Sequence, residues 1–245
     1  MSIQDKIEEI KKKGYELDFG TVFNLALENY KKIAVYAGSL LLLFFAIIIG
    51  ILIASMGLKA FFELFKPENI IALSTNTDFI IINLVSSILF TSLTSPFFAG
   101  LLKMVRCAKM DEEFHFSNVF TFYKTSHFKE LVGATFLISS CSTLLSYALE
   151  YSGNPLLGFV ISIVISGFTL LTIPLIIFSN MKAITSIKSS VLIVSKQPLV
   201  IIGLMIMAML LAIVGFIGCF VGVFFTMPFV YAMYYAIYES IIGFE

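Results

Sequence analysis

His115 and His127 are the only two histidines in the chain, and they are the natural starting point for any chemistry. Imidazole is the commonest metal ligand and the side chain that most readily exchanges protons near neutral pH. Around His115 stand Cys107, Asp111, Glu112 and Glu113, which together could form a ligand shell. The spacing argues against one, because neither histidine sits in HExxH, in a paired-ligand interval or near a nucleophile motif. Three consecutive acids in a polar connection read more simply as a solvated linker, so no catalytic residue and no metal site is expected. Cys107, Cys141 and Cys219 make no CxxC pair and suit small apolar fillers rather than a disulfide framework or zinc site. GxGxxG and phosphate-loop signatures are missing, and no cofactor is expected.

Polar residues inside apolar stretches offer a second kind of chemistry. Asn83, Ser87, Thr91 and Thr94 recur at helical spacing, as do Thr135, Ser139, Ser142 and Ser146, and again Ser162, Ser166 and Thr169. Facing stripes of this kind can join helices through hydrogen bonds worth roughly 0.6 kcal/mol each. They can also line a groove, between the second, third and fourth spans, for a polar solute or lipid headgroup. Helix packing is the favoured reading. Mid-span Lys, Arg, Asp, Glu and His are missing, which counts against a proton-coupled carrier that holds its proton on an intramembrane acid or imidazole. Tyr231, Tyr235 and Tyr238 share one face of the last span, and an aromatic belt is expected there.

The elements that must position these residues follow from composition. Hydrophobic residues make up 59% of the 245 and charged residues 13%, which places the chain in a bilayer rather than in water. Apolar stretches of crossing length begin at Ile33 and run from Phe79 to Leu102, Leu131 to Leu149, Pro155 to Asn180, Pro198 to Phe220 and Gly222 to Ile242, the last with a single charge at Glu239 near its end. Six crossings result. The first begins too late and runs too long for a signal peptide and is expected to remain as a span. The last two are nearly continuous, and Gly215, Gly218 and Gly222 provide the turn between them. Fourteen of the sixteen Lys and Arg residues fall on one side, with only Lys59 and Lys66 on the other. Positive charge is retained in the cytoplasm during insertion, so both termini are expected there. With zero formal net charge and no basic patch, nucleic acid is not a partner.

A motif recurs within this frame: Thr94-Ser-Pro96-Phe97, Thr172-Ile-Pro174-Leu175 and Thr226-Met-Pro228-Phe229. Each lies in the second arm of a hairpin, and Pro96, Pro174 and Pro228 are expected to kink it, with the threonine helping to satisfy the freed backbone. Three bent arms either pack around one another or form an inward vestibule, and packing is favoured. Each hairpin follows a lysine-closed stretch, FGTVFNLALENYKK from Phe19, FSNVFTFYKTSHFK from Phe116 and ITSIKSSVLIVSK from Ile184. Apolar residues at Phe19, Val22 and Phe23, and at Phe116, Val119 and Phe120, predict short amphipathic helices on the cytoplasmic membrane surface. The expectation is an all-α, polytopic membrane protein of six transmembrane helices. It is built as three hairpins, each preceded by an interfacial helix, with internal-repeat units near 19–105, 116–182 and 184–243. Residues 1–18 form a cytoplasmic N-terminal segment and 19–245 a single transmembrane domain.

The pattern of an amphipathic stretch, hairpins ending in Thr-x-Pro, the turn GFIGCFVG and the closing FFTMPFVYAMYYAIYESIIG resembles a group of bacterial six-span integral membrane proteins. That group includes the membrane domain attached to some glycerophosphodiester phosphodiesterases. The resemblance implies an inner-membrane location and six helices, and it carries over no catalytic residue because the soluble phosphodiesterase domain is missing. Some multi-span proteins of similar appearance are labelled carotene-cleaving oxygenases, whose chemistry implies iron on four histidines. Two histidines cannot supply that. The function expected is therefore non-enzymatic, in membrane organisation or complex assembly, with the lipid bilayer and a membrane-protein partner or homo-oligomer as its contacts. The alternative is a passive or lipid-directed transporter using the hydroxyl stripes.

Overall fold

The computed structural model describes residues 3–113, 115–218 and 221–243, except for the side chains of residues 70, 71 and 74. Among the described residues there is no strand, and the chain is all-α. Among the described residues, six helices are long and apolar enough to cross a membrane: Phe19–Met56, Thr77–Lys109, His127–Tyr151, Pro155–Ser179, Pro198–Gly218 and Val221–Ile242. The polytopic six-span class read from composition therefore holds. Cys219 and Phe220, within the expected turn, lie outside the described residues.

Helix α1 (Ile3–Lys13) places Ile3, Ile7 and Ile10 on one face and docks them on the end of the bundle, with Ile10 buried. The chain that follows is pinned there. Tyr15 donates its hydroxyl to the Ile193 carbonyl at 3.0 Å, and the Leu17 N–H donates to Gln197 Oε1 at 2.9 Å. Burial pushes the Tyr15 phenol up to about 12. Asp18 then caps α2 (Phe19–Met56), accepting from the Thr21 N–H at 2.7 Å and the Thr21 hydroxyl at 2.6 Å. The Thr21 hydroxyl, followed by its N–H, holds the Asp18 carboxyl below the usual range.

The three expected surface helices take three different forms. The stretch from Phe19 to Lys32 is not a separate element. With a strong cap at Asp18 and no proline before Met56, it continues into the span as one helix ~57 Å long. After the short helices α3 (Leu58–Glu63) and α4 (Pro67–Thr75) and the second span α5 (Thr77–Lys109), the second stretch forms a 3-10 helix, Phe116–Tyr123. It packs back against α5. Val119 and Phe122 are buried against the protein, while Phe116 and Phe120 are exposed. Gly100 explains the seat, since any side chain there would overlap the Val119 main chain. The third stretch is a true short helix, but it turns Ser186, Ser189 and Ser190 inward and leaves Ile184 exposed.

The remaining elements are α6 (His127–Tyr151), α7 (Pro155–Phe168), α8 (Thr172–Ser179), α9 (Ala183–Val194), α10 (Pro198–Val214), a 3-10 turn at Gly215–Gly218, α11 (Val221–Thr226) and α12 (Pro228–Ile242). Sequential arms pair, α6 closely with α7 and α2 with α5, while α12 runs along α2 and α5 along α6. Two apolar clusters fill the body. One gathers Leu175 and Phe229 with Val22, Leu204 and Met233, and the other gathers Phe97 with Leu41, Leu101 and Tyr235. The residue after each motif proline is thus fully inside. Phe97 stacks on Phe44 at 4.2 Å between ring centroids, and Phe229 meets Tyr30 edge-on at 5.5 Å.

At the prolines the helices behave differently. Pro96 sits inside an uninterrupted α5, and the Ser92 carbonyl that it frees accepts from Ser95 Oγ at 2.7 Å. Thr94 instead donates to the Phe90 carbonyl at 2.8 Å. Around Pro174 the helix breaks between α7 and α8, and Ser190 of α9 repairs the gap: it accepts from the Leu171 N–H at 3.1 Å and donates to the Phe168 carbonyl at 2.8 Å. Pro228 opens α12 after a second break, and Thr226 reaches across to the Ala212 carbonyl of α10 at 2.7 Å. Gly215 and Gly222 face each other at this turn, where a side chain on either would strike the other's main chain. The aromatic-belt expectation is corrected as well. Tyr235 and Tyr238 are wholly buried in the bundle, and Tyr238 shares a 2.8 Å hydrogen bond with Ser179.

Candidate functional site

The hydroxyl stripes are placed unequally. On α5, Thr94 is buried, but Asn83, Ser87 and Thr91 are exposed on the outer surface of the bundle. Ser87 returns its hydroxyl to the Leu84 carbonyl at 2.9 Å. On α6, Thr135, Ser139, Ser142 and Ser146 are half-buried, and Thr135 and Ser139 likewise bond carbonyls of their own helix at 2.8 and 3.3 Å. Among the described residues, Ser146 is the member of this stripe that hydrogen-bonds another span. Ser146 Oγ donates to the Ser142 carbonyl at 2.8 Å or the Gly158 carbonyl at 3.0 Å, and it pairs with Ser162 Oγ of α7. Gly158 permits this, because a side chain there would overlap the Ser146 main chain. The packing reading therefore holds between α6 and α7. Asn83, Ser87 and Thr91 of α5 are exposed, and no hydrogen bond of theirs to this seam is described.

A different opening is present. A crevice of 260 Å³ lies between α7 and α10, walled by Ser162, Leu170, Ile201, Met205 and Met209 and floored by Tyr234 of α12. Its lining is almost wholly apolar, which suits an acyl chain better than a polar solute. Sequence reasoning assigned Ser162 to a stripe but had no means of finding the apolar wall opposite, since α10 is hydrophobic on every side and its periodicity marks no face.

The histidine region does not form a ligand shell. His127 Nε2 bonds Asn180 Oδ1 at 2.8 Å and its ring packs edge-on to Phe122. His115 lines an open cavity of 610 Å³ with Tyr36, Glu112 and Glu113. Asp111 is drawn away to Lys32, which also donates to the Ala108 carbonyl at 3.0 Å. Among the described residues, no three His, Cys, Asp or Glu side chains gather as metal ligands. Cys107 is buried and Cys141 exposed, both as free thiols.

A protein with six apolar helices of crossing length, an inward-facing seam of hydroxyls and an outward-facing polar stripe belongs to the class of multi-pass membrane proteins. No protein-family model, curated protein or solved structure matches the chain.

Proposed function

We propose that the protein acts without catalysis in organising the membrane or assembling a complex, in the bacterial cytoplasmic membrane, with both termini and the lysine-rich end inside. The single observation behind this reading is the exposed polar face of α5. At 1.5 Å per residue, Ser87 and Thr91 stand ~12 and ~18 Å along the helix from Phe79, within a hydrocarbon layer of ~30 Å. Asn83, with an amide that both donates and accepts, shares that face. Ser87 already bonds its own helix at the Leu84 carbonyl, but lipid tails offer nothing to the Asn83 amide, whereas another membrane helix does, at roughly 0.6 kcal/mol per contact. The occupant is a second copy of this chain, because an amide that donates and accepts pairs with itself across a two-fold axis. The sequence resemblance to membrane domains that accompany other proteins is in keeping with such a role.

The test is disulfide cross-linking in native membranes from Ser87→Cys in a Cys141→Ala background, with Leu144→Cys on the exposed face of α6 as control. An adduct of twice the chain mass at position 87, and not at 144, is expected. A chain that stays single at both positions refutes the assembly, and an adduct with another protein rules out the second copy as occupant. A second reading, lipid-directed transport, rests on the apolar crevice between α7 and α10, which opens between spans as an acyl chain would require.

A further inference from the structure

A cavity of 540 Å³ opens at the lysine-rich end, where α1 meets the ends of α5, α8 and α12. Two cations line it, Lys6 from α1 and Arg106 from the last turn of α5. Among the described lining residues Glu9 is the one acid, and Lys13 engages it at 2.9 Å, so their summed formal charge is positive. Arg106 lies over the Phe178 ring at 5.5 Å, which sets the plane of the guanidinium. Lys6 donates one N–H to the Ile242 carbonyl at 2.5 Å, a contact that fixes its ammonium group at the wall with two further N–H groups to offer. The opposite wall carries the Ser179–Tyr238 hydroxyl pair and Asn180, which is held in a left-handed conformation at φ 51°. Hydroxyl, amide, ammonium and a planar guanidinium fork on one cavity are the donors that a phosphate oxyanion requires. Ile3, Phe178 and Ile242 supply an apolar flank beside them.

We infer that this cavity binds a phosphate group carried on an apolar tail, the headgroup of an anionic phospholipid. The shared chemistry is a phosphate oxyanion, and the apolar flank favours the lipid over a free ion. The site is independent of the α5 face, so its failure would leave that proposal intact.

The full-length protein is placed in nanodiscs of phosphatidylcholine doped with phosphatidylglycerol, and bound lipid is counted by native mass spectrometry. Retention of phosphatidylglycerol is expected to fall about thirtyfold in Lys6→Gln/Arg106→Gln, as expected for two cations at a membrane surface. It should not change in Lys59→Gln/Lys66→Gln at the other end. Arg106→Gln alone leaves the Lys6 contact in place and tests the site should the double variant lose α1 docking, with about fivefold weaker retention expected. Stabilisation by inorganic phosphate in pure phosphatidylcholine discs, lost in the same variants, assigns the site to a free phosphate and overturns the lipid proposal. Retention unchanged in both cavity variants overturns the site altogether.

Discussion

Replacing Gly100 with alanine tests whether the segment after α5 is seated as described. In an open helix the change is favourable by ~1 kcal/mol, because glycine has the larger backbone freedom to lose. Here the new methyl group would overlap the carbonyl oxygen and Cα of Val119, main-chain atoms that cannot rotate aside. Such overpacking costs about 1–3 kcal/mol where the structure yields slightly. If the 3-10 helix lifts off instead, Val119 and Phe122 lose their burial, worth about 1.5–3 kcal/mol each. Net of the helix gain, destabilisation by up to about 2 kcal/mol is expected if the contact yields, and by about 2–5 kcal/mol if the segment lifts off, with Tm falling roughly 2–4 °C per kcal/mol for a chain of this size. Gly133 of α6, which has open space where a side chain would stand, is the control and should be neutral or slightly stabilised by alanine. Tm in detergent is read beside alkylation of Cys107, a buried thiol whose carbonyl accepts from the Glu112 N–H just ahead of the segment. Cys141→Ala and Cys219→Ala leave that thiol alone in the chain. Gly100→Ala should speed its alkylation and Gly133→Ala should not. A Gly100→Ala protein as stable as the parent, with Cys107 equally protected, refutes the seat.

Three further outcomes follow from the same geometry. Ser190→Ala removes the patch between α7 and α8, leaving the Leu171 N–H without its acceptor; a loss of about 1–3 kcal/mol and faster hydrogen exchange at that amide are expected. Tyr15 has a phenol raised by burial to about 12 against ~10 unfolded, so its contribution to docking α1 is complete below pH 10 and is lost as pH climbs through 12. Anisotropy of a dye on Lys12→Cys should fall across that window, and Tyr15→Phe should flatten the fall. Alanine at Ser87, Thr91 and Ser139 should leave lipid movement in liposomes unchanged, since Ser87 and Ser139 return their hydroxyls to carbonyls of their own helices; altered flux with intact folding would favour the transport reading.

The six crossings were legible because ~20 apolar residues bounded by lysines admit few alternatives. Stripe membership was legible too, since spacing determines which residues share a helix face. It does not determine where that face points: Ser146 looks inward to Ser162 while Ser87, in an equivalent pattern on α5, looks outward. The amphipathic stretches misled for a related reason. Phe19 to Lys32 has the period of a surface helix, but nothing in it stops the helix, so it runs on into the span. Phe116 to Tyr123 has the same period, yet a distant glycine on α5 decides that it folds back as a 3-10 helix. Ser190, which mends the Pro174 break, is a serine on a short helix, and only the tertiary approach of α9 to that break gives it a role.

Orientation is checked by labelling intact cells with an impermeant maleimide. Glu68→Cys should react and Lys124→Cys should not, and the reverse pattern would invert the placement of the lysine-rich end. The assembly proposed for the α5 face is tested most directly by counting chains in particles cut from native membranes with their own lipid, using single-particle mass measurement. The parent chain should appear as a dimer, and a variant combining Asn83→Leu, Ser87→Leu and Thr91→Val should appear as a folded monomer. A parent found only as single chains, or a variant that associates as well as the parent, would contradict the account.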